Sequence, residues 1–173
     1  QKTPVLDTGG FANNTLYPVG ALGNVTDGLG VWIPGHAGDP AQIVESGEPA
    51  YGKVLRRAQG DSESHDLLDF TPFNAGILTI AFDLKVSTPS TRTLDLSLNR
   101  TGQDFRACHL AWGEIGGTVA YYAGGMWNEI ADLDDAWHRY ELVNHLSGPN
   151  APTFDLLIDG VVKAFNNTLD WIG

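Results

Sequence analysis

The segment from Gly76 to Val86, Gly-Ile-Leu-Thr-Ile-Ala-Phe-Asp-Leu-Lys-Val, constrains the fold more than any other part of the chain. Leu78, Ile80, Phe82, Leu84 and Val86 fall on one side of an extended backbone, with Thr79, Asp83 and Lys85 on the other. Side chains of a β-strand alternate with a period of two, a spacing that no helix face reproduces. The alternation therefore predicts a strand with one face on a core and one on water. Leu94, Leu96 and Leu98 repeat it against Asp95, Ser97 and Asn99.

Further strands are expected at 103–112, 117–123, 137–145, 153–158 and 161–165. Asp159-Gly160, between the last two apolar runs, is a hairpin signal, because both central residues of the favoured two-residue turn take positive φ. The first third of the chain is rich in Gly and Pro. There Gly28–Gly35 reads as a short strand between turns, and Gly60–His65 as a polar loop. Gln42–Glu45 and Lys53–Arg56 read as a hairpin joined by Ser46-Gly-Glu-Pro49. No segment keeps a helical period over three turns, and there is no internal repeat. The expected fold is all-β: a two-sheet antiparallel sandwich, one domain over residues 1–173. With 42% hydrophobic residues, a chain of this length can fill one core without metals or disulfides as staples.

Acidic residues outnumber basic ones 21 to 10, for a net charge of −11. Such a surface repels phosphate backbones, so nucleic acid and anionic membranes are poor partners. No stretch approaches the roughly 20 apolar residues of a membrane span. The single cysteine, Cys108, has no intrachain partner and sits among apolar neighbours, as a core thiol does. The sequence begins at Gln1 without methionine, as a mature N-terminus left by signal-peptide removal begins, so the expected location is extracellular or the cell surface. Asn-x-Thr sequons stand at Asn13, Asn24, Asn99 and Asn166; they accept glycans only in a glycosylating host.

Three stretches together resemble the LamG-like extracellular domains of bacteria, within the concanavalin A-like lectin/glucanase superfamily. They are Gly9-Gly-Phe11 through Gly30-Val-Trp32, the strand Phe82-Asp-Leu-Lys-Val86, and Trp137-His-Arg-Tyr-Glu-Leu-Val143 followed by Phe154-Asp-Leu-Leu-Ile-Asp-Gly160. The resemblance covers most of the chain and implies a jelly roll of two antiparallel sheets. Domains of this kind continue past the equivalent of Leu169-Asp-Trp-Ile-Gly173 with a closing strand, and here the sequence stops at Gly173. The expectation is a sandwich whose last strand is absent, lies in a longer parent chain, or is borrowed from a neighbouring subunit.

Glycoside hydrolases on this fold need two carboxylates a few ångströms apart. The nearest pattern is Glu129-Ile-Ala-Asp132-Leu-Asp134-Asp135, read as a solvated acidic loop. On a strand, Glu129 and Asp132 would take opposite faces. Polysaccharide lyases on this fold use a Gln/His/Tyr/Arg group. Tyr121-Tyr-Ala-Gly124 resembles the tyrosine strand, but Ala107-Cys-His109-Leu does not reproduce its Gln-Ile-His partner. His36, His65, His109, His138 and His145 are not spaced for zinc, so no catalytic residue is assigned. Structural Ca²⁺ is the cofactor that the resemblance implies, and Asp7, Asp132, Asp134 and Asp135 are its candidate ligands.

Sugars stack their C–H faces on aromatic rings, with polar groups at the edges fixing orientation. The chain concentrates Trp112, Tyr121, Tyr122, Trp127 and Trp137 in its middle, with Arg106, His109 and Asn128 as hydrogen-bonding neighbours. Trp137 begins the expected tryptophan strand and belongs to the core. Trp112, Tyr122, Trp127, Arg106 and His109 make up the candidate binding set, with Trp112 and Trp127 as strand-end platforms. The expected function is a non-catalytic module binding glycans or mediating adhesion. The alternative is a structural subunit of a filament, surface layer or matrix assembled through edge strands; a hydrolase or lyase ranks third.

Overall fold

A computed structural model describes residues 8–28, 30–34, 41–56, 66–70, 75–86, 92–100, 103–113, 117–148 and 152–168, with the backbone alone at 10, 34, 66–70, 92–100 and 103–109. The chain is all-β with several antiparallel sheets and no α-helix among the described residues. It divides into two compact units, Gln1–Thr71 and Pro72–Gly173.

The first unit opens with a 3-10 turn, Gly9–Phe11, and carries β1 (Gly20–Ala21), β2 (Val25–Asp27), β3 (Gly30–Pro34), β4 (Gln42–Glu45), β5 (Lys53–Arg56) and β6 (Asp66–Phe70). They form two three-stranded sheets, β1-β4-β5 and β2-β3-β6. The expected β4–β5 hairpin is present with Gln42 opposite Arg56 and Glu45 opposite Lys53. Its loop runs on from Pro49 to Gly52, where Ser46 N–H donates to the Gly52 carbonyl at 2.7 Å. Tyr17, Leu22, Ala41 and Ile43 form the buried centre, with Phe11, Trp32 and Leu55 packed on it. The Tyr17 hydroxyl donates to Asp27 Oδ2 at 2.8 Å. The buried Lys53 ammonium donates to Asn14 Oδ1 at 2.8 Å and to the Tyr17 carbonyl at 2.5 Å. A buried ammonium needs such acceptors, because an unpaired charge away from water is costly.

The second unit carries β7 (Ile77–Leu84), β8 (Arg92–Arg100), β9 (Gln103–Trp112), β10 (Thr118–Ala123), β11 (Met126–Asp132), β12 (His138–His145), β13 (Thr153–Ile158) and β14 (Val161–Thr168). Two four-stranded antiparallel sheets result, β11-β10-β9-β8 and β14-β13-β12-β7. Both contribute to one core. Leu110, Trp112 and Val119 come from the first sheet, and Tyr140, Leu142, Phe154, Leu156, Ile158 and Ala164 from the second. The alternation of Gly76–Val86 places Ile80, Phe82, Leu84 and Val86 against this core, while Ala81 and Asp83 are exposed. Each fully buried large apolar side chain here contributes about 1.5–3 kcal/mol.

The β13–β14 connection is the expected two-residue turn, with Ile158 opposite Val161 and φ of 51° at Asp159 and 76° at Gly160. Among the described residues, four small sheets stand where two were expected, with strands at Gly20–Ala21, Val25–Asp27 and Asp66–Phe70 that the pattern did not mark, and one expected loop is a strand. The acidic segment from Glu129 is not a loop up to Asp132, because Met126–Asp132 is a strand paired with β10. Gly124 and Gly125, at φ 64° and 78°, make its tight turn. The tail at 169–173, on which the closing-strand expectation rests, lies outside the described residues. No helix among the described residues is long and apolar enough to cross a membrane.

Candidate functional site

Register decides which side chains of β8–β11 share a face. Trp127 pairs with Tyr122, Tyr122 with His109, and His109 with Asp95, so these four positions form one row across the sheet. A bulge between Leu96 and Ser97 makes Ala107 an extra residue, and Arg106 then pairs with Ser97. Three residues apart, Arg106 and His109 thereby occupy positions on the same face, because a bulge absorbs one residue of the alternation. Four members of the candidate binding set, Arg106, His109, Tyr122 and Trp127, thus share the outer face.

Trp112 does not join them, which corrects its reading as a strand-end platform. It pairs with Val119 on the core face and is 2% exposed. Its indole N–H donates to the Tyr140 hydroxyl at 3.0 Å, and the two rings meet edge to face at 5.5 Å. Desolvation raises the Tyr140 hydroxyl above its ordinary value, keeping it neutral as the partner of that N–H. Trp137 precedes β12 and is half-buried.

The Tyr122 and Trp127 rings lie 5.3 Å apart at 72°, an edge-to-face pair, and both are half-buried. Next to them Met126 is 62% exposed at the hairpin tip. Ala111 and Ala120, in the next row of that face, are buried, so the open part of the face is the tip itself. Asn128, expected to bond a ligand, instead donates its amide to the Ala123 and Met126 carbonyls at 3.3 and 3.1 Å, fixing the turn that carries the pair.

A second feature went unseen in the sequence. An open cleft of about 250 Å³ is lined by Asp132, Asp134, Asp135, His138, Asp159 and Lys163, among others. Across it His138 is clamped, with Nδ1 2.6 Å from Asp159 Oδ2 and Nε2 2.9 Å from Asp134 Oδ1. Asp159 Oδ1 also accepts from Arg139 N–H at 2.8 Å, and Asp134 Oδ1 from Ala136 N–H at 3.0 Å. Hydrogen bonds from Asp159 and then Asp134 raise the imidazole above its usual value. The same imidazole pulls both carboxyls below theirs. No spacing in the sequence marks it, because Asp159 and His138 stand 21 residues apart.

Each ring nitrogen faces a carboxylate oxygen, which can only accept, so the doubly protonated imidazole is the form that satisfies both contacts. The three described calcium candidates, Asp132, Asp134 and Asp135, do line one cleft, while Asp7 lies outside the described residues. They fit the ion poorly, because Asp134 Oδ1 already bonds the His138 ring and Ala136 N–H. No trio of His, Cys, Asp or Glu among the described residues is arranged to hold a metal. Glu129 and Asp132 require a correction. A bulge leaves Ile130 unpaired, with Glu129 opposite Ala120 and Asp132 opposite Thr118, so the two carboxylates share a face rather than opposing faces. Both are exposed, however, and a glycosidase acid needs an environment that holds its proton.

The side chains of Asn99, Arg106, Cys108 and His109, and residues His36 and His65, lie outside what the structure describes. Asn13, Asn24 and Asn166 are exposed. No family model matches the chain, and neither a curated protein nor a solved structure does.

Proposed function

We propose that the chain is a non-catalytic extracellular module, on a concanavalin A-like jelly-roll frame, that binds glycans or mediates adhesion. The observation that carries this reading is the Tyr122–Trp127 pair at an exposed hairpin tip, in one row with His109 and Asp95. Flat rings release water from a sugar's C–H face, and polar positions along the same row supply the donors and acceptors that orient it. The clamped His138 and the exposed carboxylates speak against hydrolysis or proton abstraction. Screening against a glycan array and titrating the best ligand calorimetrically tests the reading. Trp127→Ala is expected to weaken binding about tenfold or more, roughly 1.4 kcal/mol. Equal binding by the variant, or no glycan bound by the intact chain, would sink it.

A second reading, assembly through an edge strand, draws on a different observation. Among the described residues β14 is the outermost strand of its sheet, and Val161, Val162 and Phe165 are 56%, 54% and 75% exposed on it. An apolar unpaired edge is a template for another strand.

A further inference from the structure

The four sequons are absorbed by neither reading. Ten asparagines occur in the chain, and four of them are followed two residues later by threonine, although threonine fills only 13 of 173 positions. Chance would place threonine there about once. None of the four has proline between, which would block acceptance. All three sequon asparagines with described side chains are exposed.

Local structure explains some of the asparagines but not the threonines. Asn13 Oδ1 accepts from Thr15 and Leu16 N–H at 3.0 and 3.1 Å, a turn role that occupies its oxygen. Asn166 has φ 53°, a left-handed conformation that asparagine tolerates better than most residues. It sits in a β14 bulge where Phe165 and Asn166 together oppose Asp155, and its N–H donates to Asp155 Oδ1 at 2.7 Å. The bulge accounts for Asn166. It places no demand on Thr168, which is exposed at the strand's end.

We infer that Asn166 is an N-glycan acceptor and that its glycan covers the apolar edge of β14. The donor is a lipid-pyrophosphate-linked oligosaccharide, and the catalyst is an oligosaccharyltransferase. Asn166 Nδ2 bonds to the anomeric carbon of the first sugar while that carbon's bond to the pyrophosphate oxygen breaks. The amide loses one proton, and the lipid pyrophosphate leaves carrying it. Attached beside the 75% exposed Phe165, the glycan sets its own C–H faces on that ring and blocks a strand from docking on Val161 and Val162. This assignment rests on the extracellular setting of the proposed function, not on sugar binding at Trp127. It decides against assembly through β14.

The test is to express the full chain behind a secretion signal in cultured insect cells. Occupancy is read in both cell-associated and secreted chain, by enzymatic deglycosylation in heavy-oxygen water and peptide mass spectrometry. The inference expects label on residue 166 in most molecules, lost in Thr168→Ala and kept in Thr168→Ser. It also expects Thr168→Ala to elute as dimers or larger species where the glycosylated chain is monomeric. An unlabelled Asn166 in both fractions overturns the acceptor assignment, and a Thr168→Ala chain that stays monomeric overturns the covering role. Glycan-array binding of Thr168→Ala separates the two ideas, since Trp127 lies in the other sheet.

Discussion

Trp112 and Trp127 stand in the same four-stranded sheet and do opposite things. Trp112 pairs with Val119 on the core face, buries its ring and finds a hydroxyl for its N–H. Trp127 pairs with Tyr122 on the outer face and keeps part of its ring in water beside a glycine turn. The two residues share chemistry and similar local sequence. What separates them is strand register, which assigns one to folding and leaves the other for a ligand. Burial on one face also pins the register that exposes the other.

The comparison breaks most directly at Trp112. Trp112→Ala removes the largest fully buried side chain among the described residues and leaves the Tyr140 hydroxyl without its indole partner. The expected cost is about 3–5 kcal/mol, read from the urea midpoint. Trp127→Ala is expected to cost under about 1 kcal/mol of stability, since its ring is half-exposed. If the two variants unfold at the same urea concentration, the assignment of faces is wrong.

Tyr17, in the first unit, extends the contrast to a core residue with a polar tip. Its ring is buried and its hydroxyl is bound to Asp27, so Tyr17→Phe leaves a partly buried carboxylate short of a donor. The expected loss is about 1–3 kcal/mol. Desolvation, and then Asp27, push the hydroxyl from 10.0 up to about 12. The stability this confers is complete below pH 10.0 and is lost as pH rises through about 12. Absorbance titration should find one tyrosine ionising near that value, and Tyr17→Phe should remove that step.

Trp127→Ala sharpens the comparison from the other side. It is expected to reduce glycan affinity about tenfold with the unfolding curve nearly unmoved, whereas Trp112→Phe is expected to leave affinity unchanged. Calorimetry on both variants distinguishes a ligand platform from a residue that merely supports the hairpin.

The sequence made strands legible wherever alternation runs unbroken. β7 and β12 stay in register from His138–Leu84 to His145–Ile77, and the period in Leu78–Val86 marks the inward residues Ile80, Phe82, Leu84 and Val86. Asp159-Gly160 likewise specified its turn, because positive φ at both positions demands such residues. Bulges were invisible. The extra residues at Ala107 and Ile130 carry no compositional mark, yet each reverses the face of everything beyond it. That is why Arg106 joins His109, and why Glu129 joins Asp132, against a simple count by twos. The candidate site was therefore legible as a set of residue types and not as a face. The His138 clamp was illegible because Asp159 lies 21 residues away and meets the imidazole only through the β12–β13–β14 register.

That clamp yields the smallest expected effect, and it acts at lower pH than the buried Tyr17. The His138 imidazole is raised above 6.5, so the stability it confers is complete below that value and fades as pH rises through the raised one. Asp134 and Asp159 are lowered from 3.8, so theirs is present above 3.8 and fades as pH falls through the lowered values. The clamp is thus strongest between pH 3.8 and 6.5. All three groups are open to solvent, so screening keeps the gain small and salt-sensitive. His138→Gln should flatten the fall in melting temperature between pH 6 and 9 by roughly 1–2 °C, a shift that fits a screened surface pair. Added salt should erase the difference between variant and parent. A parent chain whose melting temperature rises across that interval, or a variant that keeps the full slope, would mean that His138 does not carry the dependence.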